Sequence, residues 1–240
     1  MVNSFICLDL ETTGLNPKTD KIIEIGAIRI ENGIETGTFE TFVNPGRLVE
    51  ERITELTGIR DEDLQNAPSI REVLPAFLEF VGELPLLGHS VLFDFSFIKK
   101  AAVNEKLTFE REGIDTLKIA RKFLTELPSR SLGALCEHYR ISHQAHRALG
   151  DARATVLLYE KLWEEFGVRK EMTENEKNSL FTPVRLIYQA KKDSPITKSQ
   201  KERLYKLIAQ HKIDTVYDID KLTKSEASRY TDRILATYGR

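Results

Sequence analysis

The chain has 240 residues, enough for one full domain and a small second unit, with 41% apolar residues to build a core and 30% charged residues to solvate it. No apolar run approaches the roughly 20 residues that span a bilayer, no basic segment followed by a long apolar stretch marks an export signal, and Cys7 and Cys136 form neither a metal-type pair nor a disulfide framework. The expectation is a cytoplasmic protein without a membrane partner. The formal net charge of −2 hides an asymmetry: residues 1–188 carry 23 Lys and Arg against 30 Asp and Glu, so −7, while residues 189–240 carry 12 against 7, so +5. An acidic body with a basic tail suits an enzyme that gathers metal ions and meets phosphates, and equally suits solvated helix faces.

In chain order, Phe5 to Leu10 is an apolar run that ends in acidic residues and Thr12-Thr13-Gly14, which predicts a buried strand entering a turn. Ile22 to Ile30 predicts a second strand, Glu31-Asn32-Gly33 a hairpin turn, and Thr36 to Val43 a third strand stopped by Asn44-Pro45-Gly46. Ser69 is placed to cap a helix whose face is Ile70, Val73, Leu74, Phe77 and Val81. A short strand over Leu84–Gly88, a helix from Asp94 to Glu105, a strand over Gly113–Thr116 and a helix through Phe123 follow. Two more helices are predicted, over Ser131–Tyr139 and Gly150–Phe166. Antiparallel strands first, then strands alternating with helices, make a mixed sheet flanked by helices.

The charged stretch from Arg169 to Ser179 reads as a linker. Three units are therefore expected: residues 1–168, a linker over 169–194, and a small basic helical module over 195–240. In that module Thr197-x-x-Gln200 and Thr223-x-x-Glu226 are capping-box patterns, each opening an amphipathic helix. Two such helices bury little by themselves, so a third element or a partner is expected.

Asp9 and Glu11 lie two apart on a strand and so share a face, where like charges repel unless a cation lies between them. Hard oxygen ligands favour Mg²⁺ or Mn²⁺ over zinc. Alone, Asp-x-Glu also fits solvated acids on an edge strand. Asp94 and Asp151 each fall at a predicted helix start, where an acid also serves the helix dipole, and His146 alone also fits an ordinary surface residue.

The ordered set carries more than its members. Asp9-Leu10-Glu11-Thr12-Thr13-Gly14-Leu15, Gly88-His89-Ser90-Val91-Leu92-Phe93-Asp94 and His146-Arg147-Ala148-Leu149-Gly150-Asp151-Ala152 occur in that order. Over about residues 3–166 the chain resembles the DEDDh family of 3′→5′ exonucleases, in the branch of the proofreading (epsilon) subunit of bacterial DNA polymerase III and the PolC-type polymerase exonuclease domain. Ile53-Thr54-Glu55-Leu56-Thr57-Gly58-Ile59 and Leu64 to Ser69 also resemble this branch, whereas Ser90 stands where many members have Asn.

The resemblance implies a ribonuclease H-like fold with a five-stranded mixed sheet. It implies that Asp9, Glu11, Asp94 and Asp151 hold two divalent ions, Asp9 between them and Asp94 acting partly through water, with His146 as general base and nucleoside 5′-monophosphates as products. Thr12, Thr13, Gly14 and Leu15 would lie against the terminal nucleotide, and His89 and Phe93 are further contact candidates, Phe93 being equally suited to the core. The implied substrate is the 3′ end of a single strand, DNA in this branch and RNA in others, and the implied partners are a polymerase or another DNA-processing complex. The module over 195–240 resembles a small unit appended to bacterial and phage proteins of DNA metabolism and is read as an adaptor element; its charge suits phosphate contact, and a docking or dimerisation helix pair fits equally. Lys177-Asn178-Ser179-Leu180-Phe181 resembles the peptides that dock on sliding clamps, with Lys177 where those have Gln; the alternative is that Leu180 and Phe181 pack on the body.

Overall fold

The computed structural model describes residues 1–142, 146–167, 173, 179–215 and 218–239. Six strands form one sheet: β1 (Phe5–Thr12), β2 (Ile22–Glu31), β3 (Ile34–Phe42), β4 (Leu86–Gly88), β5 (Glu112–Asp115) and β6 (Val184–Arg185), in the order β3-β2-β1-β4-β5-β6. The first three pair antiparallel, β4 lies parallel to β1 and β5 parallel to β4, and β6 closes the edge antiparallel to β5. At the β2–β3 turn Asn32 and Gly33 both take positive φ, 54° and 80°, the twist that a two-residue hairpin requires.

Helices α1 (Glu51–Thr57), α2 (Asp61–Leu64), α3 (Ile70–Val81), α4 (Val91–Asn104), α5 (Thr116–Phe123), α6 (Leu132–Tyr139) and α7 (Ala148–Leu162) accompany the sheet. The capping box at Ser69 forms with Glu72 as the sequence predicts. The pleat of β1 divides the core: Ile6, Leu8 and Leu10 pack with α3 and α4, while Phe5 and Cys7 pack with α5 and α7. Asp9 and Glu11 therefore belong to the α7 side. Because β1 and β4 are parallel, their carboxyl ends lie at one edge, which is where open α/β sheets place ligands.

Two expectations need correction. The sheet has six strands, not five, because β6 lies within the segment read as linker; the Leu186 N–H donates to the Arg111 carbonyl at 3.0 Å and the Leu186 side chain enters the core. A two-residue strand has no periodicity to read, so its pairing is set only by what lies beside it. Farther along, Lys100 Nζ holds Asp193 Oδ1 at 2.5 Å, which straps this segment across α4. The second correction concerns the clamp-type peptide: Lys177 and Asn178 lie outside the described residues, but Leu180 and Phe181 are buried. Phe181 meets Trp163 edge-on at 5.2 Å and its carbonyl accepts from the Tyr159 hydroxyl, so both residues belong to the body's core.

The C-terminal module consists of α8 (Lys198–His211), a 3₁₀ turn (Ile219–Lys221) and α9 (Lys224–Tyr238), with both capping boxes formed. Leu204, Leu207, Ile219, Leu222, Ala227 and Ile234 make its small core. The 3₁₀ turn supplies the third element, and Gln200 Nε2 ties the two helix starts together by donating to the Lys224 carbonyl and Ser228 Oγ.

Candidate active site

β1 runs two residues past its predicted end, so Asp9 and Glu11 are held by sheet pairing to β2 and not by a loop. Asp151 comes from the first turn of α7, which crosses the sheet closely because β2 has Gly26 beneath it. A Cβ at Gly26 would lie 2.1 Å from the Leu149 nitrogen, so a side chain there would push the helix start away. Asp9, Glu11 and Asp151 each present an oxygen within 4.8 Å of the others.

Asp94 falls outside that trio but adjoins it. Helix α4 starts three residues earlier than predicted, which puts Asp94 in its first turn, and Asp94 Oδ1 accepts the Leu10 N–H at 3.1 Å. Burial, then the Asp94 and Asp151 carboxylates, pushes the Asp9 carboxyl well above the usual range. Burial, with Asp151 and Glu24 adding and Arg147 opposing, pushes Glu11 up to about 7. Asp94 is also raised, burial outweighing the hydrogen bond from Leu10. Several acids crowded into a half-dry site, with only oxygen donors, fit a hard divalent cation, whose charge would offset the repulsion.

His146 is exposed, immediately before α7, with a positive φ of 64°. Its backbone N–H donates to Asp151 Oδ2 at 2.9 Å, which fixes the loop to the acid cluster. A residue missed by sequence reasoning supports this corner. Glu24, 1% exposed in β2, accepts from Arg147 Nη2 at 3.0 Å and from the Ala148 N–H at 3.1 Å, so it caps α7 from across the sheet. Its one signal was a charge inside an otherwise apolar strand, Ile22-Ile23-Glu24-Ile25.

Among the substrate-contact candidates, Thr12 ends β1 and is buried, Thr13 and Gly14 are buried in the turn that follows, and Leu15 is 83% exposed at its tip. Phe93 is half-buried, 5.0 Å from Phe97, so part of it serves the core. His89 has both ring nitrogens engaged, Nδ1 with Thr116 Oγ1 and Nε2 with the Arg130 carbonyl, each at 2.9 Å. Burial lowers its pKa, and with both nitrogens engaged only the ring face is left for a ligand. Arg47 was also missed: its guanidinium donates to Thr13 Oγ1 at 2.7 Å and to the Thr19 carbonyl at 3.0 Å, beneath the turn.

A family model described as exonuclease matches residues 6–159. The DNA polymerase III PolC-type protein of Clostridium perfringens is 34% identical over 244 residues, covering 97% of this chain and 16% of that protein. The DNA polymerase III subunit epsilon of Aquifex aeolicus is 39% identical over 171 residues, covering 69% of this chain and 85% of that subunit. The chain thus spans about a sixth of the PolC-type relatives that it matches. Among solved structures, Escherichia coli exonuclease I bound to a dA16 oligonucleotide superposes with a TM-score of 0.60 at 19% identity, over 69% of this chain and 42% of that one. Exonuclease X in complex with 5′-overhanging duplex DNA gives 0.56 at 23% identity, over 72% of this chain and 99% of that one. At those identities the likeness is one of fold, and the fold is the ribonuclease H-like α/β layer that the motifs implied.

Proposed function

The chain belongs to the exonuclease family, and from that premise we propose that it removes single nucleotides from the 3′ end of a DNA strand, releasing nucleoside 5′-monophosphates with the help of two divalent ions, Mg²⁺ or Mn²⁺. The observation that carries the reading is the convergence of Asp9, Glu11 and Asp151 at the carboxyl edge of the sheet, with Asp94 beside them. These four acids would hold the ions, which supply Lewis-acid stabilisation of the charge on the attacking and leaving oxygens.

The remaining steps belong to the chain's own residues. Thr12 to Leu15 receive the terminal nucleotide, the exposed Leu15 side chain lying against its base. Water attacks phosphorus in line, the bond from phosphorus to the neighbouring 3′ oxygen breaks, and that oxygen takes a proton from solvent, so the shortened strand leaves with a 3′-hydroxyl. His146 takes the attacking water's proton, held at the site by its backbone bond to Asp151 and by the Glu24–Arg147 pair next to it. DNA is favoured because the relatives are DNA polymerase III components. RNA trimming is the second reading, motivated by structural likeness to a 3′-exonuclease described as recognising a histone mRNA stem-loop, with a TM-score of 0.58 at 16% identity. Work within a polymerase or other DNA-processing complex is part of the proposal.

The deciding experiment offers 5′-labelled single-stranded, duplex and 3′-mismatched DNA, and matched RNA, with Mg²⁺ or Mn²⁺. Stepwise shortening of the labelled DNA, with mononucleotide 5′-phosphates as product, is expected. Faster digestion of RNA would favour the second reading, early release of the 5′ label would reverse the direction, and activity in excess chelator would remove the metal ions.

A further inference from the structure

We propose that Arg229 and Glu226 on α9 are positioning residues for the turn Thr12–Leu15, which makes the C-terminal module a working part of the active site. The inference rests on the reading of that turn as the seat of the terminal nucleotide.

The turn closes on itself before anything else touches it. Thr13 N–H donates to the Lys21 carbonyl at 2.8 Å, and Lys21 N–H returns to Thr13 Oγ1 at 2.9 Å. Asn16 N–H donates to Asp20 Oδ2 at 2.9 Å. The Asp20 carboxylate lies so close beneath Gly14 that a Cβ there would be 2.6 Å from Oδ2. Asp20 is thus the floor of the turn, and where Asp20 sits decides where Thr13, Gly14 and Leu15 sit.

Helix α9 holds that floor. Arg229 Nη1 donates to Asp20 Oδ1 at 2.6 Å and to Thr19 Oγ1 at 2.5 Å. Glu226 binds Lys21 Nζ at 2.9 Å and Arg47 Nη1 at 3.5 Å, while the other nitrogen of the same guanidinium reaches Thr13 Oγ1. The module therefore grips the turn by its own polar atoms, not by a remote face. Asp20, Glu226 and Arg47 are 5%, 8% and 13% exposed, while Arg229 reaches in from an outer position at 44%; removing Arg229 leaves the buried Asp20 carboxylate with only the longer Arg47 contact at 3.6 Å as counter-charge. Burial pushes the Glu226 carboxyl up, but Lys21 and the Thr223 N–H outweigh it and keep the group charged at neutral pH. At the edge of the same junction Arg233 binds Glu50 at 2.5 Å.

The test uses the full chain with Arg229→Ala, Glu226→Gln and the conservative Arg229→Lys, and two readouts. Hydrogen exchange of the amides in 12–21, measured without metal or substrate, is expected to speed up in the first two variants and to return toward wild type in Arg229→Lys. With a short oligodeoxynucleotide and Mg²⁺, the first two should raise KM about tenfold and change kcat by less than about twofold, with Arg229→Lys recovering most of the loss. If Arg229→Ala disturbs the module's own fold, Thr19→Val removes one Arg229 acceptor from the body's side and is read in the same way. Unchanged exchange in 12–21, or an unchanged KM, overturns the inference. A wild-type chain inert toward every nucleic acid overturns the proposed function instead, while faster exchange in the variants still supports the hold of α9 on the turn.

Discussion

The Leu10 N–H donates to the carboxylate of Asp94, a residue 84 positions later in the chain, at 3.1 Å. This single bond ties the start of α4 to the strand that carries Asp9 and Glu11, so Asp94 is fixed beside the acid trio by main chain and not by the acids themselves. Asp94→Asn keeps an acceptor for Leu10 and relieves repulsion with Asp9, so in chelator it should melt no lower than the wild type. Asp94→Ala leaves a buried N–H unpaired and should cost about 1–3 kcal/mol. Both should lose most activity. Thermal melts beside oligonucleotide digestion separate the two effects, and equal melting temperatures for the two variants would count against the tether.

Asp9→Asn or Asp151→Asn should abolish digestion while raising stability in chelator, because each relieves repulsion among three oxygens within 4.8 Å. In Mg²⁺ the ranking should reverse, since only the wild type gains the ions. Melting curves with and without Mg²⁺ test this, and a variant less stable than wild type in chelator contradicts it.

The raised Glu11 carboxyl makes a pH prediction for the metal-free protein. Its folded value of about 7 lies above the ordinary unfolded value, so between the two the folded chain holds a proton that the unfolded chain has released. Stability in chelator should therefore fall as pH rises through roughly 4.5 to 7 and then level off at this group. On the proposed role of Glu11, Mg²⁺ would displace that proton, so its affinity should climb over the same range. Urea midpoints in chelator at several pH values give the slope, and Glu11→Gln should reduce it by this group's share, the raised Asp9 and Asp94 carboxyls supplying the rest.

His146→Ala should lower kcat by a factor of about 10² or more with little change in strand affinity, as expected of a group that acts only in the proton transfer. Glu24→Ala should show the same split more weakly, because it leaves Arg147 with only the longer Glu40 pair and uncaps α7 without touching substrate. Single-turnover rates and binding measured separately decide this, and a change confined to binding would remove both from the proposed roles.

Leu180→Ala and Phe181→Ala should each cost about 3 kcal/mol of stability, as large-to-small changes at buried positions do. A docking peptide would instead tolerate them without loss of fold. Near-wild-type urea midpoints would restore that reading.

What the sequence by itself determined is local or periodic: the apolar run that makes β1 a buried strand, the two-residue spacing that puts Asp9 and Glu11 on one face, the Asn32-Gly33 hairpin, the capping boxes at Ser69, Thr197 and Thr223, and the three motifs that name the family. These are properties of neighbouring residues, and propensity and spacing express them directly. The short helices α1 and α2 were less legible, because seven residues or fewer show little period, and so was the early start of α4, because Ser90 makes no side-chain cap to mark it. Only the tertiary structure decided that β6 closes the sheet, that Leu180 and Phe181 are core, that Glu24 caps a helix 124 residues away, and that Arg229 reaches Asp20 across 209 residues. Each of those depends on the partner that folding delivers. A lone charge or apolar pair looks the same in sequence whether it meets water or a buried counterpart, and burial is what gives the meeting its energy.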